Sequence, residues 1–415
     1  VNLVCSECGR PAADDAMFCV SCEGLLAFET FAVTPGADLD RDRIAARRNS
    51  NDARNRSGVW RYRELLPPIP FDAIVTLREG DVPLYDAPRS AAYAGMAHLA
   101  CLHLGMNPTA SFKDAGMTVA ISRAASTGAR VAICASTGNT SASLAAYAAR
   151  AGMHAVVLVP ATGISASKVA QTLDYGATVV AIDGDFDAAL VTVRALDPRR
   201  VAIVNSVNPY RIEGQKSAAF VLLEQRNWRV PDWIVLPGGN LGNTSALGKG
   251  FREALALGWI DRLPRLAVVQ ASGAAPFSRA FREKADLVPV HAETTATAIK
   301  IGAPASWKKA RAEVAASRGT VLDVSDDAIA DARAIVGRDG IGSEPASAAT
   351  LAGLRQLVGE GTIAASDDVV LILTGHVLKD GAYAANYHES AAPFANRILR
   401  GVDPAEVIDR LNAPA

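Results

Sequence analysis

DWIVLPGGNLGN, residues 232–243, runs from an apolar strand straight into a glycine-rich turn, and a helical pattern follows from near Thr244. The strand part is apolar on both faces, which suits a parallel sheet covered on both sides. The same rhythm recurs in VAICAS (131–136), HAVVLVP (154–160), ATVVAI (177–182), RVAIVN (200–205), RLAVVQA (265–271) and DVVLILT (368–374). Helical pattern lies between most of them, including an alanine-rich stretch to Ala151 and a helix over 165–175 closed by Gly176. Buried strands alternating with helices predict an α/β fold. At 415 residues the chain exceeds one ordinary core, so two or three domains are expected.

In such sheets the ligand site lies beyond the carboxyl ends of the strands. Four strand ends here carry small, hydrogen-bonding residues: STGNT (136–140), NSVNPYR (205–211), GGNLGN (238–243) and TGH (374–376). Any one of them alone reads as a turn and helix cap. Together they predict a convergent site.

Each contributes a distinct chemistry. Glycines at 238, 239 and 242 let the backbone approach an anion, and the following helix N-terminus offers free N–H groups. This is a phosphate cradle, but neither the Walker pattern nor the dinucleotide fingerprint. NPTASFKDAG (107–116) sets Lys113 among small or apolar neighbours. Partial burial would lower its pKa and supply a neutral, imine-forming amine, whereas a lone lysine there is ordinarily a solvated charge. STGNT can hold a carboxylate through hydroxyl and backbone donors. Arg211 has the shape to clamp a phosphate or carboxylate, or else is a surface charge.

The order NPTASFKDAGMTVA, ASTGNTSASLAAYAARAG, NSVNPYRIEGQK, LPGGNLGN, ATAIKIGAPASW, EPASAATLAG and LTGHVLKD resembles the threonine synthase family. That family belongs to the fold-type-II pyridoxal-phosphate enzymes, and the resemblance covers about residues 65–380. It implies two three-layer parallel-sheet domains of the tryptophan-synthase-β-like fold, with 65–120 and 205–400 forming the larger and 121–204 the smaller. It also implies Lys113 as the Schiff-base lysine, Asn139 as partner of the pyridine ring's oxygen, and Thr374 as partner of the ring nitrogen. Gly238, Gly239, Asn240, Leu241, Gly242 and Asn243 would wrap the cofactor phosphate. Ser136, Thr137 and Thr140 would bind the substrate carboxylate, and Asn205, Ser206 and Arg211 its phosphate. The implied reaction converts O-phospho-L-homoserine and water to L-threonine and phosphate in a homodimer. Where the family reads NPTGSFKDRG, this chain has Ala110 and Ala115; Leu104, Lys300, Ala303 and Val377 are further departures. A paralogous β-replacement on O-phosphoserine, of the cysteate synthase kind, or a specialised amino-acid synthase is the alternative within this chemistry.

Cys5, Cys8, Cys19 and Cys22 form two Cys-x2-Cys pairs within residues 1–28, the spacing of a zinc ribbon. Four thiolates complete a closed tetrahedral shell, so a structural role is expected. A metal-free loop, or a binding protein that uses the ribbon and has lost catalysis, is the reading from another class. Residues 29–64 read as a linker or lead-in, polar and charge-rich over 36–58. Lys plus Arg number 42 against 43 Asp plus Glu, which gives no bulk attraction to nucleic acid or acidic membranes. No apolar run is long enough to span a bilayer, and the cysteine-bearing start does not look like a signal peptide, so a cytoplasmic protein is expected.

Overall fold

A computed structural model of the chain describes residues 2–29, 39–161, 166–184, 189, 192–193, 196–197, 200–396 and 398–412. Its first sheet is small and antiparallel: β1 (Leu3–Cys5), β2 (Pro11–Ala12) and β3 (Leu26–Phe28), in the order β2-β1-β3. Next along the chain come β4 (Leu84–Asp86), β5 (Ala100–His103), β6 (Val131–Ala135), β7 (His154–Pro160), β8 (Thr178–Ile182) and β9 (Ala202–Ile203). The last strands are β10 (Trp233–Pro237), β11 (Arg265–Ala271), β12 (Thr320–Val324) and β13 (Val369–Leu373).

These build two further sheets. One has six strands in the order β12-β11-β10-β13-β5-β4, parallel except for the antiparallel edge strand β4. The other has four parallel strands in the order β8-β7-β6-β9. The fold is therefore α/β with parallel sheets, as expected. β10 and β13 are buried at every position, which is why they read as unbroken apolar runs. RVAIVN, expected as a strand over 200–205, forms strand at Ala202–Ile203, beyond which Val204 N–H donates to the Ile133 carbonyl and the Asn205 side chain bonds Ala135 of β6. The helix expected over 165–175 is described as Ala166–Asp174, with Ser165 outside the described residues and Gly176 at a φ of 80° just past its end. Within the polar lead-in, helices at Arg41–Ala46 and Ala53–Arg56 begin on the side-chain caps Asp40 and Asp52, while 36–38 lie outside the described residues.

Three helices bring chemistry to the sheet ends. Lys113–Ser126 follows β5, Asn139–Arg150 follows β6, and Pro209–Gln225 follows β9. The last opens on Asn208, whose side chain accepts from the Tyr210 N–H, with Pro209 preset for the first helical position. Its first four turns are buried throughout, so it is a central helix of the molecule and not a surface one. Inside it Lys216 and Glu213 pair at 2.5 Å, and Lys216 reaches Glu253 of the helix Gly242–Ala256 at 2.8 Å. No helix among the described residues is long and apolar enough to cross a membrane.

Candidate active site

The segment before Lys113 is held at both ends. Phe112 N–H donates to the Thr374 carbonyl at 2.8 Å, and His376 N–H donates to the Ala110 carbonyl at 3.1 Å. The Asp114 carboxylate, fully buried, accepts from Thr109 N–H, the Thr109 hydroxyl and the Ser143 hydroxyl at 2.6–2.7 Å. Burial raises Asp114 to about 6 in spite of those donors. The lysine turn is thereby fixed between β13 and the helix Asn139–Arg150.

Burial lowers Lys113 to about 7, the Arg211 charge lowers it further, and Glu344 opposes both. A large fraction of the amine is accordingly free base near neutral pH, the form that attacks a carbonyl. Its Nζ stands 4.1 Å from the Phe112 ring centroid.

Glu344 was not singled out by the sequence, although it opens the quoted EPASAATLAG. It precedes Pro345 at the start of the helix Pro345–Gly359 and is buried. Its carboxylate accepts from the Asn139 amide at 3.1 Å and the Thr374 hydroxyl at 3.2 Å. Burial raises its pKa, against the lowering effect of Asn139, Thr374 and Lys113. The available signal was an acid placed before a proline-opened helix of small residues. Thr374 also meets the Ser347 hydroxyl at 3.1 Å.

The glycine-rich loop behaves as a cradle. A Cβ on Gly238 would come within 2.8 Å of Val268, and one on Gly239 within 3.2 Å of the Ala298 carbonyl. Leu241 adopts a left-handed φ of 65°, which turns the chain into the helix Gly242–Ala256. Asn240 donates to the Ser206 hydroxyl at 2.5 Å and accepts from Ala305 N–H. The Asn243 amide and the Thr244 hydroxyl are buried without a partner among the described residues. Unpaired polar groups beside a helix N-terminus cost free energy unless a ligand meets them, so the loop fits a phosphate group.

Arg211 is 1% exposed. Its guanidinium donates to the Val204 carbonyl at 3.1 Å, its Nε has no partner, and no carboxylate pairs with it among the described residues. Burial lowers it to about 10. The surface-charge reading is thus removed, and what remains is a buried cation lacking an anion among the described residues.

The other expected residues divide. Ser136, Thr137 and Thr140 stand half-buried around the start of the helix Asn139–Arg150, and Ser136 accepts from Gly138 N–H at 3.2 Å. Asn205 lies at the right strand end, but both ends of its amide are spent on Ala135, at 3.1 and 3.2 Å. Lys300 is exposed and paired with Glu293 at 2.9 Å, although its neighbours Ala298 and Ile299 pack against Gly239 of the glycine-rich loop. Convergence of the two parallel sheets is carried by Asn139–Glu344–Thr374 on one side and Ser206–Asn240 on the other.

The four cysteines also meet. Cys5 and Cys22 sulfurs are 3.4 Å apart, Cys8 and Cys19 sulfurs 3.6 Å, and all four lie within 4.8 Å of one another with no disulfide. Such spacing matches four corners of a tetrahedron around one thiophilic ion.

Comparison with known proteins agrees with the geometry. The family model "Pyridoxal-phosphate dependent enzyme" matches residues 75–375. Threonine synthase of Methanosarcina acetivorans is 44% identical over 385 residues, 91% of this chain and 92% of that one. The Methanocaldococcus jannaschii threonine synthase is 43% identical over 382 residues, with the same shares. Among solved structures, threonine synthase from Escherichia coli superposes with a TM-score of 0.69 at 18% identity, covering 100% of this chain and 95% of that one. The processed form of threonine deaminase isoform 2 from Solanum lycopersicum gives 0.64 at 19% identity, covering 75% and 83%. At such identities the two structures speak for the fold alone.

Proposed function

The chain belongs to the threonine synthase branch of the pyridoxal-phosphate dependent enzymes, and we propose from that premise the roles of its site residues in converting O-phospho-L-homoserine and water to L-threonine and phosphate. It is a lyase acting on a phosphorylated amino acid. The observation that best supports the substrate class is Arg211, a buried guanidinium without a carboxylate partner among the described residues.

Lys113 would hold the cofactor covalently, the loop 238–243 with Thr244 its phosphate, Asn139 the ring oxygen and Thr374 the ring nitrogen. When bound, pyridoxal phosphate supplies the electron sink for carbanions next to the amino-acid nitrogen. Lys113, with its pKa lowered to about 7, is suited to carry a proton to and from the substrate Cα. Ser136, Thr137 and Thr140 offer hydroxyl and backbone donors to the substrate carboxylate. Arg211 and Ser206 fix its phosphate, and Asn205 acts behind them by locking the turn onto Ala135. Holding both charged ends leaves Cβ and Cγ no freedom to swing away from the lysine, which directs loss of phosphate to the γ position. The same two-ended grip would disfavour the shorter O-phosphoserine.

The ribbon would hold one structural zinc through Cys5, Cys8, Cys19 and Cys22, since the sulfurs already stand at tetrahedral separations. The resemblance further implies a cytoplasmic homodimer, and light scattering, which reads the particle mass in solution, would test the assembly. The decisive experiment measures phosphate release from O-phosphohomoserine and, separately, from O-phosphoserine with sulfite. Release with formation of threonine is expected from the first; release from the second alone would overturn the substrate assignment.

A further inference from the structure

The turn that carries Arg211 is gripped from two sides. On one side the helix Lys113–Ser126 packs so closely that a Cβ on Gly116 would stand 2.7 Å from the Arg211 carbonyl. On the other side lies the four-cysteine ribbon. Phe28, at the end of β3, meets Tyr210 edge to face with ring centroids 4.9 Å apart at 71°. The Tyr210 hydroxyl donates to the Asp14 carbonyl at 3.4 Å. Leu26, Phe28 and Tyr210 share one apolar cluster.

A second tie runs through the main chain of β3. Lys249 donates to the Phe28 carbonyl at 2.7 Å and pairs with the Glu213 carboxylate, two residues beyond Arg211. Lys309 donates to the Leu26 carbonyl at 3.3 Å, and Lys308 pairs with Glu7 at 2.5 Å. Ribbon, buried ion cluster and Arg211 turn therefore form one continuous contact chain.

We propose that the ribbon is a positioning element for the substrate's phosphate, with Phe28 aiming Arg211 through Tyr210 and through Lys249–Glu213. The proposal rests on the reading of Arg211 as the phosphate anchor. The directional hydrogen-bond part of a guanidinium–phosphate contact is short-ranged, and a displacement of about 1 Å in a positioned site can cost up to two orders of magnitude. The ribbon has three strands of two or three residues and can hold little shape by packing alone. Closure of four thiolates on a metal ion would keep it rigid enough to serve as a brace.

The test uses the full-length, cofactor-loaded protein and inorganic phosphate as the probe, titrated calorimetrically, alongside steady-state kinetics. Phe28→Ala should weaken phosphate binding and raise KM for the phosphorylated substrate by about tenfold, with kcat and the cofactor absorbance held. Phe28→Leu keeps an apolar filler but loses the ring edge, and should shift both in the same direction by less. Stripping the ribbon's metal with a chelator should weaken phosphate binding by a factor similar to that of Phe28→Ala. Wild-type phosphate affinity in a folded Phe28 variant or in the stripped protein overturns the brace. So does a fall in kcat and cofactor content at constant KM, which would mark a general loss of stability. Arg211→Ala is the control for the underlying reading: if it leaves phosphate affinity unchanged, the anchor assignment itself is wrong whatever the Phe28 variants do.

Discussion

The buried Arg211 guanidinium acts on the half-buried Lys113, its charge adding to desolvation in holding the lysine amine down to about pKa 7. In the proposed reading one cation would serve two ends of the reaction, as partner for the substrate's phosphate and as a charge that favours the neutral form of the lysine.

Uptake of pyridoxal phosphate by cofactor-free protein should follow that ionisation. The neutral amine attacks the aldehyde, so the reactive fraction grows as pH rises through the amine's pKa. Because that pKa is lowered, the rate should rise across a midpoint of about 7 and level off well below 10.5, the ordinary lysine value. Stopped-flow absorbance at a series of pH values checks this; a rate still climbing at pH 10 would refute it.

Arg211→Met separates stability from function. The wild-type guanidinium is buried with its pKa lowered to about 10, so its charged form is disfavoured in the folded state at every pH below that. Removing an uncompensated buried charge should raise unfolding free energy by about 1 kcal/mol or more. The same change should raise KM for the phosphorylated substrate at least thirtyfold, roughly 2 kcal/mol, because charge-assisted contacts are lost. Thermal denaturation and steady-state kinetics on one preparation decide both. It should also move the midpoint of cofactor uptake upward, since one charge that depresses Lys113 has gone.

Ala110 occupies a backbone position that belongs to glycine. Its φ is 63°, in the left-handed region, and its carbonyl must face His376 N–H to hold the lysine turn. A Cβ there costs about 1 kcal/mol, and a β-branched side chain more. Ala110→Gly should therefore keep activity and leave stability equal or slightly higher. Ala110→Val should lower the unfolding free energy by about 1–2 kcal/mol and reduce cofactor occupancy. Chemical denaturation with absorbance of the bound cofactor measures each.

Strands buried on both faces were legible to the residue: His154–Pro160 and Arg265–Ala271 lie where their apolar runs begin and end. Thr320–Val324 escaped notice because Asp323 interrupts it; there it is half-buried and accepts from Ser272 and Ser278 at the edge of the sheet. Ala100–His103 escaped because it is short and adjoins the lysine motif. The glycine loop and Lys113 were legible because close backbone approach and amine burial constrain residue type locally. Asn205 was legible in place but not in partner, since its bond to Ala135 depends on how β9 lies beside β6. The burial of Lys216 and Lys249 was not legible at all. Their charges look like a solvated face until Glu213 and Glu253 are brought against them from two helices.

Glu344 yields the last prediction. Its carboxylate accepts from Asn139 and Thr374, and its charge raises the pKa of Lys113 against burial and Arg211. Glu344→Gln keeps the side-chain shape and a carbonyl acceptor while deleting the charge. The opposing effect then vanishes, so Lys113 should titrate lower and the cofactor-uptake midpoint should move to more acid pH than in the wild type. The pKa of Glu344 is itself raised by burial, so the wild-type effect fades as pH falls through that value and the carboxyl takes up its proton. The two uptake profiles should accordingly differ most around the Lys113 midpoint, meet at alkaline pH where the amine is fully deprotonated in both, and draw together in acid once Glu344 is protonated. A shift toward alkaline pH in Glu344→Gln, or curves that part further in acid, would contradict this arrangement of the three charges.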